Sequence, residues 1–346
     1  MREKVRFDPW TSEKVLTVSD PVRGLRAVIA MDDLTLGPGF GGVRLASYTC
    51  TESAVEEAQR LARAMTFKHA LADLPYGGAK GVILADDQRW EGEARQRLFE
   101  AFGDAVADTH GQYIPGVDMA TTLADMNVIR SRGATVYCTD VDPSPWTARG
   151  VHAAMRAGAR GVLGADSLDG ITVAVQGVGS VGGHVARLAA ADGADVILAD
   201  IDTDRAHRLA DEIGGRAVDV KKIITTDCQI LAPCAVARVI TRAIVPKLRC
   251  VLIAGAANDT LDVPSVDHDL LSSGITFVPD FVANAGGVIH EHARAVGWDE
   301  TRLGEAVDAI GDRVSELFDE PAHGSLVDAA LTRAQRHIEA ARAARA

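Results

Sequence analysis

The sequence lacks an excess of positive charge and any long apolar segment, and each absence excludes a class of function. Its 346 residues carry 36 lysines and arginines against 48 aspartates and glutamates, a net charge of −12. This balance argues against a nucleic-acid-binding surface and against docking on an anionic membrane. No apolar run approaches the length that spans a bilayer, and the charged N terminus (Arg2, Glu3, Lys4, Arg6) lacks a signal-peptide core. We therefore expect no nucleic-acid partner and no membrane partner.

Cysteine is also scarce, and the residues that occur are scattered and odd in number. They are Cys50, Cys138, Cys228, Cys234 and Cys250, most of them in apolar surroundings. This distribution predicts reduced core thiols in a cytoplasmic protein. No repeat of fixed period is present, and 47% apolar with 24% charged residues is a composition typical of a soluble globular chain.

Strands alternate with helical stretches in the second half of the chain. Apolar runs typical of buried strands occupy residues 171–176, 196–199 and 250–254, with helical patterns between them. This alternation predicts an α/β fold whose C-terminal half is a Rossmann-type, doubly wound parallel sheet. In the first half, residues 25–31 and 134–138 are predicted to be strands. The glycine-rich stretch 36–44 is predicted to be a loop.

A proline-rich segment marks the expected domain boundary. Residues 140–145 (Asp-Val-Asp-Pro-Ser-Pro) combine prolines with small polar side chains, as linkers do. We therefore expect a substrate-binding and oligomerisation domain over residues 1–139 and a nucleotide-binding domain over residues 140–325. The tail, residues 326–346, is rich in alanine and arginine and is predicted to be one long surface helix that can pack back on the first domain.

A glycine pattern follows directly on the strand at 171–176. In Gly177-Val178-Gly179-Ser180-Val181-Gly182 the first glycine allows a tight turn, the second lets a pyrophosphate approach, and the third packs helix on strand. The N terminus of the helix that follows offers free N–H groups to phosphates. The next strand ends in Asp200, whose carboxylate suits ribose hydroxyls and repels a 2′-phosphate, so NAD is predicted rather than NADP. A glycine-rich turn without a ligand is the alternative.

Two lysines lie in apolar surroundings in the first half. In Leu74-Pro75-Tyr76-Gly77-Gly78-Ala79-Lys80, Lys80 follows a predicted glycine turn at the mouth of a short strand. Twelve residues earlier, Lys68 occupies a helix-compatible segment. Two ammonium groups in one pocket would lower each other's pKa, and a lysine that loses its proton near neutral pH can do acid–base chemistry. A solvated lysine on a glycine turn is the alternative.

Taken in order, these motifs give the chain a resemblance to the glutamate/leucine/phenylalanine/valine dehydrogenase family over nearly its whole length. The branch that acts on hydrophobic amino acids is the most similar. The motifs of the first half are Leu36-Gly37-Pro38 through Gly42, Met65-Thr66-x-Lys68, Leu74-Pro75-x-Gly77-Gly78-x-Lys80 and Asp118-x-x-Thr121. Those of the second half are Thr147-Ala148-x-Gly150-Val151, the glycine loop, Ala232-Pro233-Cys234-Ala235, Gly255-Ala256-Ala257-Asn258 and Pro279-Asp280-Phe281-Val282-x-Asn284-Ala285-Gly286-Gly287.

The resemblance implies two domains separated by a cleft and the reversible, NAD-dependent oxidative deamination of an L-amino acid to a 2-oxo acid and ammonium. It implies that Lys68 and Asn258 hold the substrate carboxylate, that Lys80 activates water, and that Asp118 carries a proton to and from the substrate nitrogen. A homo-oligomer assembled through the N-terminal half is also implied. The other implied contacts are Gly41 and Gly42 with the substrate amine, and Gly177, Gly179, Ser180, Val181, Gly182, Asp200, Thr147, Ala232, Pro233, Asn258 and Asn284 with the cofactor.

Several positions depart from the pattern of the family. Phe40 falls at a position of the substrate side-chain pocket, and its bulk should shrink that pocket. Glu291 falls near a position that is aliphatic in members with hydrophobic substrates. A buried Glu291 would be costly without a partner, which could be a cationic or hydrogen-bonding side chain of the substrate, His290 or His292. A helix position that faces solvent is the alternative. Ala120 stands where glycine or asparagine is usual. His290 and His292 lack a third ligand of suitable spacing, so no metal site is predicted.

Two further functions remain open from the sequence. One is a catalytically silent NAD-binding homologue, and the other is a dehydrogenase of a different amine or of a hydroxy acid. Singly, Asp118 and Thr147 could be helix caps, and Asn258 and Asn284 could be turn residues. The agreement of Lys68, Lys80, Asp118 and Asn258 with one mechanism favours the amino-acid dehydrogenase.

Overall fold

The structure is a computed structural model, and it describes residues 11–85, 90–138, 140–320 and 324–345. The charged residues Arg2 to Arg6 and residue 139, at the expected domain boundary, lie outside this part. Among the residues described, no helix is both long enough and apolar enough to cross a membrane.

The chain forms two compact units. One contains Met1–Asp142 together with Gln335–Ala346, and the other contains Pro143–Ala334. The division between them thus falls within the proline-rich segment and again inside the C-terminal helix. At the end of that helix, Arg342 Nη2 forms an ion pair of 2.7 Å with Asp33 Oδ2 in the first unit.

A five-stranded sheet with helices on both faces forms the first unit. Its elements are β1 (Lys14–Asp20), β2 (Leu25–Met31), β3 (Gly39–Ala46), α1 (Thr51–Leu71), β4 (Gly77–Leu84), α2 (Gly92–Ala107), β5 (Tyr113–Val117) and α3 (Leu123–Ser131). The strand order is β1-β2-β4-β3-β5, and β3 is parallel to both of its neighbours. Successive residues of a strand point to opposite faces, so Val28 packs with α1 residues while Ile29 packs with α2 residues.

A six-stranded parallel sheet forms the core of the second unit. The elements are α4 (Ser144–Leu163), β6 (Thr172–Gln176), α5 (Ser180–Ala191), β7 (Asp195–Ala199), α6 (Thr203–Ile213), β8 (Arg216–Ala217), β9 (Ile230–Pro233), β10 (Leu252–Ile253), α7 (Val266–Ser272), β11 (Thr276–Phe277), α8 (Asp280–Ala283), α9 (Gly286–Val296), α10 (Glu300–Phe318) and the start of α11 (Leu326–Arg345). The strand order is β11-β10-β9-β6-β7-β8, so the chain places β7 and β8 on one side of β6 and β9, β10 and β11 on the other. The predicted α/β fold with a Rossmann-type C-terminal half is confirmed, and ligands of such sheets bind where the strand order reverses in this way.

Some predictions of local structure are wrong. Residues 39–44, expected in a loop, belong to β3, and Gly77 and Gly78 begin β4 rather than form a turn. The glycines are needed because the strands are crowded: a Cβ on Gly41 would lie 1.7 Å from the carbonyl oxygen of Ala79. Residues 134–138 are not a strand, and residues 250–254 contribute only the two residues of β10 to the sheet.

Asp32, directly after β2, yields a prediction about stability. Burial raises the pKa of this carboxyl to about 6, and the hydrogen bond from Thr66 Oγ1 (2.7 Å) only partly offsets it. Because this pKa is higher in the folded than in the unfolded state, the carboxyl lowers the free energy of unfolding as the pH rises from about 4 to 6. At pH 7.5 we expect Asp32→Asn to be more stable than wild type by about 2 kcal/mol. Urea unfolding should show this gain shrinking to nothing at pH 4, and a gain that does not depend on pH would contradict the burial argument.

Candidate active site

The side chains of Lys80 and Asp118 meet inside the first unit. Lys80 lies in the middle of β4, and its Nζ is 2.8 Å from Oδ2 of Asp118, which follows β5. β4 and β5 flank β3, so these two side chains approach each other across that strand. Gly42 of β3 leaves the space open, because a Cβ there would lie 2.7 Å from Asp118 Cβ and 3.4 Å from Lys80 Nζ. The glycine is therefore required by the pair.

Burial and neighbouring charges set the ionisation of the pair. Burial lowers the pKa of the Lys80 ammonium, the charge of Asp118 opposes this, and the charge of Arg44 adds to the lowering. Burial alone would raise the pKa of the Asp118 carboxyl, but the charges of Lys80 and Arg44 outweigh it and hold that pKa well below its usual range. The site therefore holds a fixed carboxylate beside an amine that gives up its proton more readily than an exposed lysine.

Arg44 is a member of the site that the sequence reasoning missed. Its Nε donates to Asp118 Oδ2 at 2.9 Å, and its Nη1 contacts Glu57 Oε1 at 2.6 Å. The sequence indicated Lys68 as the cation that lowers the pKa of Lys80, whereas the cation acting beside burial is Arg44. The available signal was the alternation of β3, which places residues 42 and 44 on one face.

The loop after β5 holds Asp118 in place. Thr121 Oγ1 accepts from the Asp118 backbone N–H at 2.9 Å and donates to the Val43 carbonyl oxygen at 2.9 Å. Ala120 adopts a left-handed conformation with φ of 60°, which explains why glycine or asparagine suits this position. Arg95 Nη2 donates to the Ala120 carbonyl oxygen at 2.8 Å while pairing with Asp125. Ala120 in its left-handed conformation is thus held by Arg95, which belongs to a partly buried ion pair.

Lys68 and Phe40 lie in the same unit. Lys68 is buried in the last turn of α1. Beside it, His69 stacks on the ring of Phe40 at 5.4 Å, and burial lowers the pKa of this imidazole to about 3, so it is neutral. Tyr76 and Tyr137 meet Phe40 edge-on, and their hydroxyls lie 2.8 Å apart. Phe40 is therefore fixed in an aromatic cluster rather than free to move aside.

The glycine loop of the second unit has the shape that a dinucleotide needs. Gly177 turns the chain after β6 with φ of 84°, and a Cβ on Gly182 would lie 1.9 Å from the Gly177 carbonyl oxygen. Gly179 differs, because a Cβ there would meet only Arg205 Nη1, at 3.9 Å. The space over Gly179 is open where a pyrophosphate would approach the N terminus of α5, whose first residues are Ser180 and Val181.

Asp200, at the end of β7, is fixed by backbone donors. Its Oδ2 accepts from the Val178 N–H at 2.8 Å and its Oδ1 accepts from the Asp202 N–H at 2.9 Å. The carboxylate is buried at the edge of the glycine loop. Arg205 Nη1 lies 4.0 Å from Oδ2, but this guanidinium is also paired with Asp202 at 3.0 Å. This arrangement fits a ribose beside the loop.

The remaining predicted cofactor contacts cluster at the same end of the sheet. Ala232 and Pro233 end β9, where Pro233 pairs with Gln176 of β6. Asn284 Nδ2 donates to Asn258 Oδ1 at 2.8 Å, and its buried Oδ1 has no partner among the residues described. An unpaired amide acceptor fits the carboxamide of a nicotinamide. Thr147 Oγ1 donates to the Pro143 carbonyl oxygen at 3.2 Å and stands 2.7 Å from where a Gly287 Cβ would be, so α4 and α9 pack closely there.

Comparison with known proteins agrees with these features. The family model described as the Glu/Leu/Phe/Val dehydrogenase dimerisation domain matches residues 12–134, and that described as Glutamate/Leucine/Phenylalanine/Valine dehydrogenase matches residues 198–345. Leucine dehydrogenase of Geobacillus stearothermophilus is 39% identical over 90% of this chain and 86% of its own length. The chain belongs to the glutamate/leucine/phenylalanine/valine dehydrogenase family. Phenylalanine dehydrogenase of Lysinibacillus sphaericus is 34% identical over 94% of this chain and 88% of its own.

A solved structure shows that the similarity extends to the fold of this dehydrogenase. L-tryptophan dehydrogenase of Nostoc punctiforme has a TM-score of 0.83 and 32% identity, covering 96% of this chain and 97% of its own. The sequence prediction of the family is thereby confirmed, as is the prediction of an amino-acid dehydrogenase.

Glu291 is the least expected side chain of this dehydrogenase. It is only 5% exposed in α9, so the alternative of a solvent-facing helix position is wrong. Its Oε1 lies 3.1 Å from Nδ1 of His290, whose ring stacks on Trp146 with centroids 6.3 Å apart. The acid therefore has the partner that burial requires.

Proposed function

We propose that the protein catalyses the NAD-dependent oxidative deamination of an L-amino acid with a hydrophobic side chain, giving a 2-oxo acid and ammonium. The observation that carries the proposal is the buried contact between Lys80 and Asp118, a carboxylate beside a lysine of lowered pKa. The family membership and the names of its leucine and phenylalanine dehydrogenase relatives support the reaction and the substrate class.

Each side chain of the first unit takes one role in this proposal. Lys68 binds the substrate α-carboxylate, because a buried cation suits that group, and Asn258 is proposed as an amide donor to a carboxylate. The backbone of Gly41 and Gly42 lies against the substrate amine. Asp118 takes a proton from the substrate nitrogen, and Lys80 takes one from the water that attacks the imine carbon. Phe40 limits the size of the substrate side chain.

The second unit provides the nucleotide site. NAD held there would supply the hydride acceptor, and the residues of this unit would bind and orient it. Gly177, Gly179 and Gly182 shape the pyrophosphate site, with the N–H groups of Ser180 and Val181 at its helix. Ala232, Pro233, Thr147 and Asn284 line the nicotinamide side in this proposal. Asp200 binds the adenosine ribose, and its charge favours NAD over NADP.

The proposal includes a homo-oligomer assembled through the first unit, and a cytoplasmic location. A dimerisation-domain description for residues 12–134 supports the first part. Five free cysteines support the second, because a reducing compartment keeps thiols free.

A panel of twenty L-amino acids tests the function. With NAD or NADP at pH 9 to 10, we expect reduction of NAD, followed at 340 nm, with branched-chain or aromatic substrates. We expect kcat/KM to be at least about tenfold higher with NAD than with NADP, because a 2′-phosphate would meet the Asp200 carboxylate. Normal NAD binding without turnover of any amino acid would contradict the proposal and favour a silent homologue.

The buried Glu291 favours one alternative substrate class. A carboxylate in the second unit can bind a cationic or hydrogen-bond-donating side chain, so the same chemistry on a polar or basic amino acid is the second candidate. The panel separates the two, since the preferred substrate would then be lysine, arginine or glutamine. Glu291→Gln should lower kcat/KM with such a substrate and leave turnover of leucine nearly unchanged.

A further inference from the structure

We propose that Arg44, anchored by Glu57, is a positioning residue that orients the Asp118 carboxylate and lets Lys80 release its proton. The inference rests on the proposed deamination, because it concerns the same acid–base pair. It goes beyond that proposal, because Arg44 and Glu57 belong to none of the motifs on which the family resemblance depends.

Both cations contact the same oxygen of Asp118. Lys80 Nζ lies 2.8 Å from Oδ2, and Arg44 Nε donates to Oδ2 at 2.9 Å. Neither of these contacts involves Oδ1. A carboxylate fixed through one oxygen presents the other in a defined direction, so Oδ1 is the atom that exchanges a proton with the substrate nitrogen.

Arg44 is held in place from the opposite side. Its Nη1 contacts Glu57 Oε1 at 2.6 Å, and the Tyr48 hydroxyl donates to that same oxygen at 3.1 Å. Arg60 contacts the other oxygen of Glu57 at 3.6 Å. The Arg44 side chain is only 16% exposed, so its guanidinium spans Asp118 and Glu57 in a largely buried position. Ion pairs of this kind fix geometry more than exposed ones do.

The charges around Lys80 show why a second cation matters. The groups that face it are Asp118 from the loop after β5, Arg44 from β3 and Glu57 from α1. Tyr48 and Tyr113 lie near Asp118, and burial raises the pKa of both phenols, so both stay neutral. Lys80 therefore faces one cation, Arg44, and two anions, Asp118 and Glu57. When Lys80 loses its proton, Arg44 still neutralises Asp118, whereas without Arg44 the carboxylate would hold the Lys80 proton more tightly.

The pH profile of the Arg44→Gln variant tests the proposal. Because Lys80 must be unprotonated to accept a proton, deamination activity falls as the pH drops through its pKa. Arg44→Gln should raise that pKa and move the acidic limb of the kcat profile upward by roughly one pH unit. At pH 8 the variant should lose about tenfold or more in kcat with little change in KM.

Three companion variants separate positioning from general destabilisation. Arg44→Lys keeps the positive charge, so the acidic limb of its kcat profile should lie close to that of wild type. Glu57→Gln removes an anion facing Lys80, so the acidic limb of its kcat profile should not move to higher pH. Its kcat should nevertheless fall, because Arg44 loses its ion pair with Glu57. Arg60→Gln removes a cation that contacts Glu57 and not Asp118, so the acidic limb of its kcat profile should stay where it is in wild type. An Arg44→Gln profile that overlays wild type, or no rescue by Arg44→Lys, would overturn the proposal.

A titration that needs no substrate keeps this test independent of the proposed function. The chain has only seven lysines, so ¹³C-labelling at lysine Cε gives few signals, and Lys80→Arg identifies that of Lys80. In Arg44→Gln the titration midpoint of this signal should rise, even if no amino acid is turned over. An unchanged midpoint would refute the role of Arg44. Failure of wild type on the amino-acid panel would refute the deamination alone.

Discussion

Lys80→Ala is expected to abolish amino-acid turnover while leaving NAD binding intact. The substitution removes the amine that we propose takes the proton from water, and it leaves the buried Asp118 with Arg44 as its cation. A general acid or base typically accelerates a reaction by a factor of about 10² to 10⁴, so we expect kcat to fall by about 10³-fold or more. Steady-state kinetics at pH 9 to 10 with the best substrate of the panel measures the loss. Quenching of protein fluorescence by NADH measures the affinity.

Two further lysine variants sharpen this result. Lys14→Ala is a matched control, because Lys14 lies on β1 with its Nζ donating to Gln112 in an exposed hydrogen bond, and it should keep wild-type kcat. Lys80→Arg keeps the charge beside Asp118 but cannot release a proton near neutral pH, so it should be nearly as inactive as the alanine variant. Comparable turnover in Lys80→Ala would remove the proposed mechanism.

The sequence predicted the helices and buried strands well where the signal was local. The strand at residues 25–31 is β2 as predicted, and the glycine loop lies between strand and helix as its spacing required. Apolar runs and the Gly-x-Gly-x-x-Gly spacing act within a few residues, so one chain segment carries all the information.

The glycines of β3 could not be interpreted in this way. A run such as Gly39 to Gly42 usually marks a loop, because glycine weakens a strand. Here the need for glycine comes from residues distant in sequence, namely the Ala79 carbonyl oxygen against Gly41 and the Asp118 side chain against Gly42. This crowding is apparent only from the register in which β3 pairs with β4 and β5.

The same limit explains which part of the candidate site the sequence found. Lys80 and Asp118 occur in recognisable motifs, and the structure brings them together. Arg44 and Glu57 are separated by 13 residues and belong to a strand and a helix, so their contact depends on how α1 packs on the sheet. From sequence alone, an arginine and a glutamate are expected at the surface. Their burial as a pair here depends on tertiary packing.

Gly179→Ala is expected to abolish cofactor binding without disturbing the fold. The φ of Gly179 is −69°, which suits alanine, and the added Cβ would meet only Arg205 Nη1, at 3.9 Å. The methyl group would, however, fill the space in which we propose that the pyrophosphate lies. We expect the Kd for NADH to rise by at least about 100-fold, equivalent to roughly 2.7 kcal/mol, while the melting temperature without cofactor stays within about 1 °C of wild type.

Gly182→Ala is the comparison variant that distinguishes a clash within the protein from a clash with the cofactor. Its Cβ would lie 1.9 Å from the Gly177 carbonyl oxygen and 2.9 Å from Cys234 Cβ, so this variant should lose stability even without a cofactor. A clash inside the protein lowers the melting temperature, whereas a clash with the cofactor lowers only affinity. If Gly179→Ala bound NADH as wild type does, the pyrophosphate would not lie over Gly179. If its melting temperature fell with that of Gly182→Ala, the space over Gly179 would be part of the core rather than a ligand site.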